Sequence, residues 1–226
     1  SQKEDSIWVE GTSGIFDYET KKFSGRNGLI TWEKTGLNKT ETFAEMKGYR
    51  VLMDDLILRS DTVSLTTPYF QKPILGSLVD KSKNLLESGQ GSPKFSSFSQ
   101  RLSIVELREN MDFDGGFTLE GSRVIGEGVK GNPARLIFKY EGKPTLSVSS
   151  LNFSIDPSRI LARESSLKLS YPNGDSLTHG SGLFEYDDNI KTLNFTATKL
   201  GNKPIKFLDY HFNVALSAPV LQWEVG

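Results

Sequence analysis

The chain has 226 residues, with 27 basic against 28 acidic side chains, 36% hydrophobic residues and no cysteine. This composition predicts a globular protein with a sizeable core, and it excludes disulfides, thiolate metal sites and cysteine catalysis. There is no basic run with interleaved aromatic residues, so no nucleic acid is expected as a partner. No apolar stretch approaches the roughly 18 residues that a membrane helix needs, which predicts a soluble chain with no transmembrane segment.

Residues 1–226 are expected to form a single large β domain that is a fragment of a longer protein. The sequence opens at Ser1 without an initiating Met, and residues 220–226 have the pattern of a strand. A Gly/Ser/Pro-rich stretch at 88–93 is the best candidate for a lobe boundary. We expect lobes of one domain on either side of it rather than independent domains.

Alternation of apolar and polar residues with a period of two dominates the chain and predicts β-strands. Each strand then offers one face for burial and one for solvent. The clearest segments are 135–140, 166–171, 193–197 and 212–216. In the last of them, Phe212, Val214 and Leu216 share the apolar face. The phase of the pattern slips at Ser149–Ser150, which predicts a bulge or a corner.

Turn and helix signals complete the predicted fold. The run Pro172–Asp175 contains Asn-Gly and predicts a tight hairpin turn, because these residues accept positive φ. Two short helices are expected, one at 38–48 between Asn38 and Gly48 and a weaker one at 80–87. The sequence therefore predicts an all-β fold, either a large antiparallel β-sandwich or jelly roll or a short β-solenoid, with one or two short helices.

No residue belongs to a recognisable catalytic motif. His179 and His211 lack neighbours at metal-ligand spacing, and we expect the first in an exposed loop and the second in a strand. The pairs Asp112 with Asp114 and Asp187 with Asp188 are candidates for glycoside hydrolysis, but turn carboxylates that accept backbone N–H groups explain them better. The sequence favours a protein that is not an enzyme.

Candidate ligand-binding and metal residues are few. A structural calcium ion takes oxygen ligands of the kind that turn carboxylates supply, and no other cofactor is expected. The candidate calcium ligands are Asp112, Asp114, Asp187 and Asp188. Trp8, Trp32 and Trp223 are candidate sugar-binding residues, because an exposed indole can stack on a pyranose. The alternative is that these tryptophans fill the core.

Two resemblances bear on fold and location. Five segments occur together in the chain, at 14–18, 23–33, 94–98, 113–121 and 174–179. Together they resemble segments of large envelope proteins of Bacteroidetes, which implies an extracytoplasmic location and brings no established activity or site residues. The stretch 159–171, followed by Gly174-Asp175 and another strand, is similar in rhythm to the OstA-like β-jelly-roll modules of lipopolysaccharide transport. Those modules carry lipid in an apolar groove, and the similarity serves as an analogy for the fold.

The leading functional prediction is a non-catalytic binding or scaffold module of a bacterial cell envelope or surface, with a glycan or an envelope component as partner. A carbohydrate-binding module is the first alternative, and it needs two or more of the tryptophans exposed on one concave face. A lipid-handling β groove needs a continuous apolar cavity. A polysaccharide-active enzyme needs an acid pair that faces across a cleft.

Overall fold

The computed structural model describes residues 7–81, 92–97, 101–200 and 203–225. Within these residues the chain forms twenty strands and one short 3-10 turn at Glu33–Thr35. Eighteen of the strands belong to one antiparallel sheet, and two form a separate ribbon. The prediction of an all-β, antiparallel fold is confirmed.

The chain divides into two compact units. The first comprises Ser1–Ser99 with Thr118–Arg123, and the second comprises Gln100–Phe117 with Val124–Gly226. The division in the chain therefore falls after Ser99. Most of the lobe boundary expected at 88–93 lies outside the described residues.

Consecutive strands of the first unit pair in a meander. Alternate side chains of these strands face a common core, which includes Trp32, Leu58 and Phe95, all fully buried. The strands are β1 (Ser13–Asp17), β2 (Lys22–Thr31), β3 (Phe43–Leu52), β4 (Ile57–Thr66), β5 (Ile74–Lys81) and β6 (Lys94–Ser97), with β6 paired to the end of β8 (Met111–Glu120).

The central strands of the first unit are interrupted near their middle. Asn27 in β2 takes a positive φ of 55°, and the register of β4 against β5 shifts between Ser60 and Val63. The Ser60 hydroxyl donates to the Gly48 carbonyl of β3 at 2.7 Å. Such irregularities bend a strand and increase its twist. Because they lie at neighbouring positions on adjacent strands, the bend runs across the sheet.

The second unit contains the remaining strands around an aromatic core. Phe153 packs edge-to-face on Phe113 and on Phe184, with ring centroids 6.2 and 6.3 Å apart. The strands are β7 (Leu102–Arg108), most of β8, β9 (Arg123–Glu127), β10 (Ala134–Tyr140), β11 (Lys143–Ser150), β12 (Asn152–Ile155), β13 (Arg159–Ser170), β14 (Ser176–Asp187), β15 (Thr192–Ala197), β16 (Lys199–Leu200), β17 (Lys203–Pro204), β18 (Phe207–Asp209), β19 (Val214–Leu216) and β20 (Val220–Glu224).

The helix predicted at 38–48 is wrong. Asn38 does accept the Thr40 N–H at 3.0 Å, but it caps a turn and not a helix. From Phe43 onward the chain is strand β3, in which Ala44 and Met46 are buried and pair with β4. A period of two, rather than Phe43 and Met46 spaced three apart, describes this segment. The second predicted helix, 80–87, begins with the last residues of β5, and its remainder lies outside the described residues.

Two other local predictions are confirmed. In the turn Pro172–Asp175, the Gly174 N–H donates to the Tyr171 carbonyl at 3.0 Å, and Gly174 takes a positive φ of 93°. The phase slip at Ser149–Ser150 coincides with the end of β11, and β12 begins at Asn152.

The predicted apolar face of 212–216 is not buried. Phe212, Val214 and Leu216 are all exposed. Strand β19 pairs with β18 along one of its edges. The alternating pattern predicts the strand at Val214–Leu216 correctly. It does not determine whether another layer of the protein covers that strand.

Candidate functional site

A groove of about 550 Å³ lies on the first unit at the bend of the strands. It is lined by Glu10 and Gly11 and by residues of β2, β3, β4 and β5. Ligand pockets commonly measure about 300 to 1,000 Å³, so the groove has room for a small molecule or a short stretch of polymer. This groove is therefore the candidate functional site.

One cross-strand row of side chains runs along this groove. Glu10 bridges to Leu29, which pairs with Glu45. Glu45 pairs in turn with Ser64, and Ser64 with Leu75. Directly opposed residues of an antiparallel pair point to the same face, so the row presents carboxylates, a hydroxyl and leucines together. With strands about 4.8 Å apart, Glu10 and Glu45 lie roughly 10 Å apart at their Cα atoms, with Leu29 between them.

The residues at the bend extend this chemistry. Asn27, Lys47 and Thr62 line the groove with an amide, an ammonium group and a hydroxyl. Met46 and Val63 also line the groove, although their side chains are almost wholly buried. The groove thus combines the leucines of the row with polar groups that include both donors and acceptors.

Trp8 is 77% exposed and lies two residues before Glu10, which lines the groove. The intervening residue, Val9, packs over Gly28, where a Cβ would lie only 2.6 Å from the Val9 Cγ1 atom. Of the three predicted tryptophans, Trp8 is therefore the one placed to contact a ligand in the groove.

The other two tryptophans do not line the groove of the first unit. Trp32 is fully buried, and its Nε1–H donates to the Pro93 carbonyl at 3.0 Å, so its prediction as a sugar-binding residue is wrong. Trp223 is half-buried on β20 of the second unit. It lines an apolar cavity of about 10 Å³ together with Phe138 and Leu146. A volume of about one water molecule cannot hold a lipid chain.

The two acids of β8 form ion pairs with basic side chains. Asp112 lies 2.8 Å from the Lys139 ammonium group and accepts the Glu106 N–H at 2.9 Å. Burial by itself would raise the pKa of Asp112, but these bonds outweigh it and hold that pKa below the ordinary value. Asp114 lies 2.8 Å from Nε of Arg101. Both acids belong to a strand, so their prediction as turn residues is wrong.

Asp187 and Asp188 lie at the turn between β14 and β15, as predicted. Asp187 accepts the Asn189 N–H at 2.9 Å. Asp188 accepts from the Lys191 ammonium at 2.9 Å and from the Tyr186 hydroxyl at 3.1 Å. Burial opposes ionisation of Asp188, yet the bonds from Lys191 and Tyr186 hold its pKa below the ordinary value.

These contacts leave the predicted calcium site without a ligand set. Within the ranges that the structure describes, no group of three or more His, Asp or Glu side chains is placed to hold a metal ion. Each acid proposed for calcium is instead bonded to a cation or to a turn N–H. The two pairs also lie along their own segments and do not face a partner acid across a cleft, as a glycosidase would require.

Each of the two histidines lies in the kind of segment that the sequence predicts for the other. His179 lies in strand β14 and is buried, where Nε2–H donates to the Ile205 carbonyl at 3.0 Å and Nδ1 accepts the Ser181 N–H at 3.3 Å. His211 lies in the turn between β18 and β19, with Nδ1 2.9 Å from a carboxylate oxygen of Asp175. Both histidine predictions are therefore wrong in location.

The groove could not be predicted from the sequence. Each residue of the row lies on the solvent side of a different strand. Only the register of the paired strands brings these residues together. One local signal existed in Asn27-Gly28, an Asn-Gly pair inside an otherwise alternating segment. Such a pair within a strand indicates a bulge or a close approach of another backbone.

No protein-family model matches the chain, and neither the curated proteins nor the solved structures include a similar one. Among the described residues, no helix has the length and apolarity needed to cross a membrane.

Proposed function

We propose that the chain is a non-catalytic binding module of a bacterial cell envelope, and that its groove binds a stretch of glycan chain. The observation that carries this proposal is the row from Glu10 to Leu75, in which polar and apolar side chains lie next to each other. The extracytoplasmic location is supported by the resemblance to Bacteroidetes envelope proteins.

The chemistry of the row suits a sugar better than a peptide. Backbone groups along the row are engaged in strand pairing, so the groove offers side chains rather than a free strand edge. A pyranose presents hydroxyls around its edge and C–H groups on its faces. Glu45 and Ser64 supply hydrogen-bond partners for the hydroxyls, and Leu29 and Leu75 supply apolar contact. The exposed indole of Trp8, two residues before Glu10, adds an aromatic face.

The charge of the groove narrows the class of ligand that it can bind. Its lining contains the carboxylates Glu10 and Glu45 and one ammonium group, Lys47. A net negative lining repels acidic polymers, because like charges at an interface weaken binding. We therefore assign a neutral polysaccharide as the ligand class.

Titration of the protein with neutral oligosaccharides, followed by isothermal calorimetry, tests this proposal. We expect Glu45→Ala and Trp8→Ala each to weaken binding by about tenfold, since each removes one principal contact. Arg163→Ala is the matched control, because Arg163 lines a separate groove of about 370 Å³ at a bend of the second unit.

Two results would contradict the proposal. One is the absence of binding to any neutral oligosaccharide by the wild-type chain. The other is equal weakening by Arg163→Ala and Glu45→Ala, which would show that the contact does not lie in the groove of the first unit.

A further inference from the structure

A second polar and aromatic cluster lies at the hairpin tips of the second unit. It combines Tyr171, Asn173 and Asp175 from the β13–β14 turn with His211 and Phe212 from the β18–β19 turn. We call these five residues the tip cluster. They share no residue with the groove of the first unit, so a site in the tip cluster is independent of the function proposed for that groove.

Hydrogen bonds fix the polar half of the tip cluster. One oxygen of Asp175, Oδ2, lies 2.9 Å from Nδ1 of His211 and accepts from Nδ2 of Asn173 at 2.7 Å. Oδ1 of Asn173 accepts the Asp175 N–H at 3.1 Å, which fixes the orientation of the amide. Nδ1 of His211 also lies 2.8 Å from Nδ2 of Asn173. Because a carboxylate oxygen only accepts and would repel a ring lone pair at 2.9 Å, we assign the proton of the neutral ring to Nδ1.

This arrangement leaves acceptors directed at solvent. With the proton on Nδ1, Nε2 of His211 is a lone-pair acceptor, and the carboxylate behind the ring strengthens it as an acceptor. Neither Nε2 nor the second oxygen of Asp175 has a hydrogen-bond partner in the part of the chain that the structure describes. Two acceptors are thus held at a fixed spacing and available to hydroxyl donors.

The aromatic half of the tip cluster lies directly beside these acceptors. Phe212 is 68% exposed, and its ring centroid is 4.6 Å from that of His211. The ring centroid of Tyr171 lies 5.7 Å from that of His211, and the Tyr171 hydroxyl donates to Asp209 at 2.9 Å. Asp209 also accepts the N–H groups of His211 and Phe212, so the turn that carries Phe212 is held in place.

We propose that the tip cluster is a carbohydrate-binding site for a single pyranose residue. The C–H face of the sugar stacks on the ring of Phe212, while two neighbouring hydroxyls donate to Nε2 of His211 and to Asp175. An exposed ring beside anchored acceptors suits this ligand class, because a sugar is apolar on its face and rich in O–H donors at its edge. The site lacks a nucleophile beside His211, and its role is binding.

NMR titration with a panel of methyl pyranosides tests this assignment. We expect resonances of His211 and Phe212 to shift on addition of at least one pyranoside. Phe212→Ala should weaken that binding by about tenfold, since it removes the stacking face. His211→Phe keeps an aromatic ring and removes the Nε2 acceptor, so it should weaken binding as well. Both positions are exposed on a turn, and circular dichroism checks that each variant is folded.

Two control variants separate the tip cluster from other sites. Tyr140→Ala removes an exposed aromatic ring elsewhere in the second unit and should leave binding unchanged. Glu45→Ala alters the groove of the first unit and should also leave these shifts unchanged. The assignment is overturned if no pyranoside shifts the tip resonances, or if Tyr140→Ala weakens binding as much as Phe212→Ala does. Loss of binding only in Glu45→Ala would overturn the tip site and leave the groove proposal standing.

Discussion

Replacement of Trp32 by Phe should destabilise the chain much more than the same replacement of Trp8. Trp32 is fully buried among the core side chains of the first unit, and its Nε1–H donates to the Pro93 carbonyl at 3.0 Å. Phenylalanine keeps one six-membered ring, but it removes the pyrrole part of the indole and the donor. Trp8 is 77% exposed, so the same change there removes little buried surface.

The magnitude follows from two contributions. Shrinking a buried aromatic side chain leaves a cavity that costs about 1 to 2 kcal/mol, less than the 3 to 5 of a full truncation to alanine. Loss of the hydrogen bond adds about 1 kcal/mol. This second cost is moderate because the Pro93 carbonyl also accepts the Gly121 N–H at 3.3 Å. We expect the free energy of unfolding to fall by about 2 to 3 kcal/mol in total.

Urea unfolding followed by far-ultraviolet circular dichroism measures this difference. Trp8→Phe is the matched control and should change the free energy of unfolding by less than about 0.5 kcal/mol, as is usual for surface substitutions. The reasoning is refuted if Trp32→Phe is as mild as the control, or if the two variants are equally destabilised.

Two further predictions concern the second unit. The pKa values of Asp112 and Asp188 are lower in the folded chain than in the unfolded chain. Their stabilisation is therefore present in full well above the ordinary carboxyl pKa of 3.8, and it is lost as the pH falls below that value through the lowered pKa values of the folded chain. Unfolding midpoints measured across this range should fall less steeply in Asp112→Asn, and an unchanged slope would contradict this. His179→Phe leaves the Ile205 carbonyl and the Ser181 N–H without their side-chain partner, so urea unfolding should show a loss of about 2 kcal/mol. His211→Phe is its exposed control, and an equal loss there would count against the argument.

Strands and tight turns could be predicted from the sequence because both depend on neighbouring residues. The alternation at 193–197 corresponds to a strand whose Leu193, Phe195 and Ala197 are buried, and Asn173-Gly174 does form a turn. Such signals depend on the side-chain period and on the φ angles that a residue tolerates. They therefore appear within a few residues of each other in the chain.

Burial and polar partners could not be predicted in the same way. The sequence around His179 and His211 does not indicate which of them is buried, yet one contacts the rings of Phe195 and Phe207 and the other contacts Asp175, 36 residues away. Which strand covers a given face, and which turn meets which, depends on the long-range pairing of strands. A single sequence contains no direct signal for that pairing.

Each unit has a groove at a bend of its strands, but the two grooves differ in the side chains that line them. In the second unit, Glu164 takes a positive φ of 51° and the register of β13 shifts between Ala162 and Ser165, which is the same kind of interruption as in β4. A groove of about 370 Å³ results there too. Its lining carries one arginine and one glutamate, whereas that of the first unit carries two glutamates and one lysine. Both units thus bend their strands in the same way. In our proposal, the side chains at the bend of the first unit give its groove an affinity for sugar. Arg163→Ala and Glu45→Ala, compared in one calorimetric series, test that distinction directly.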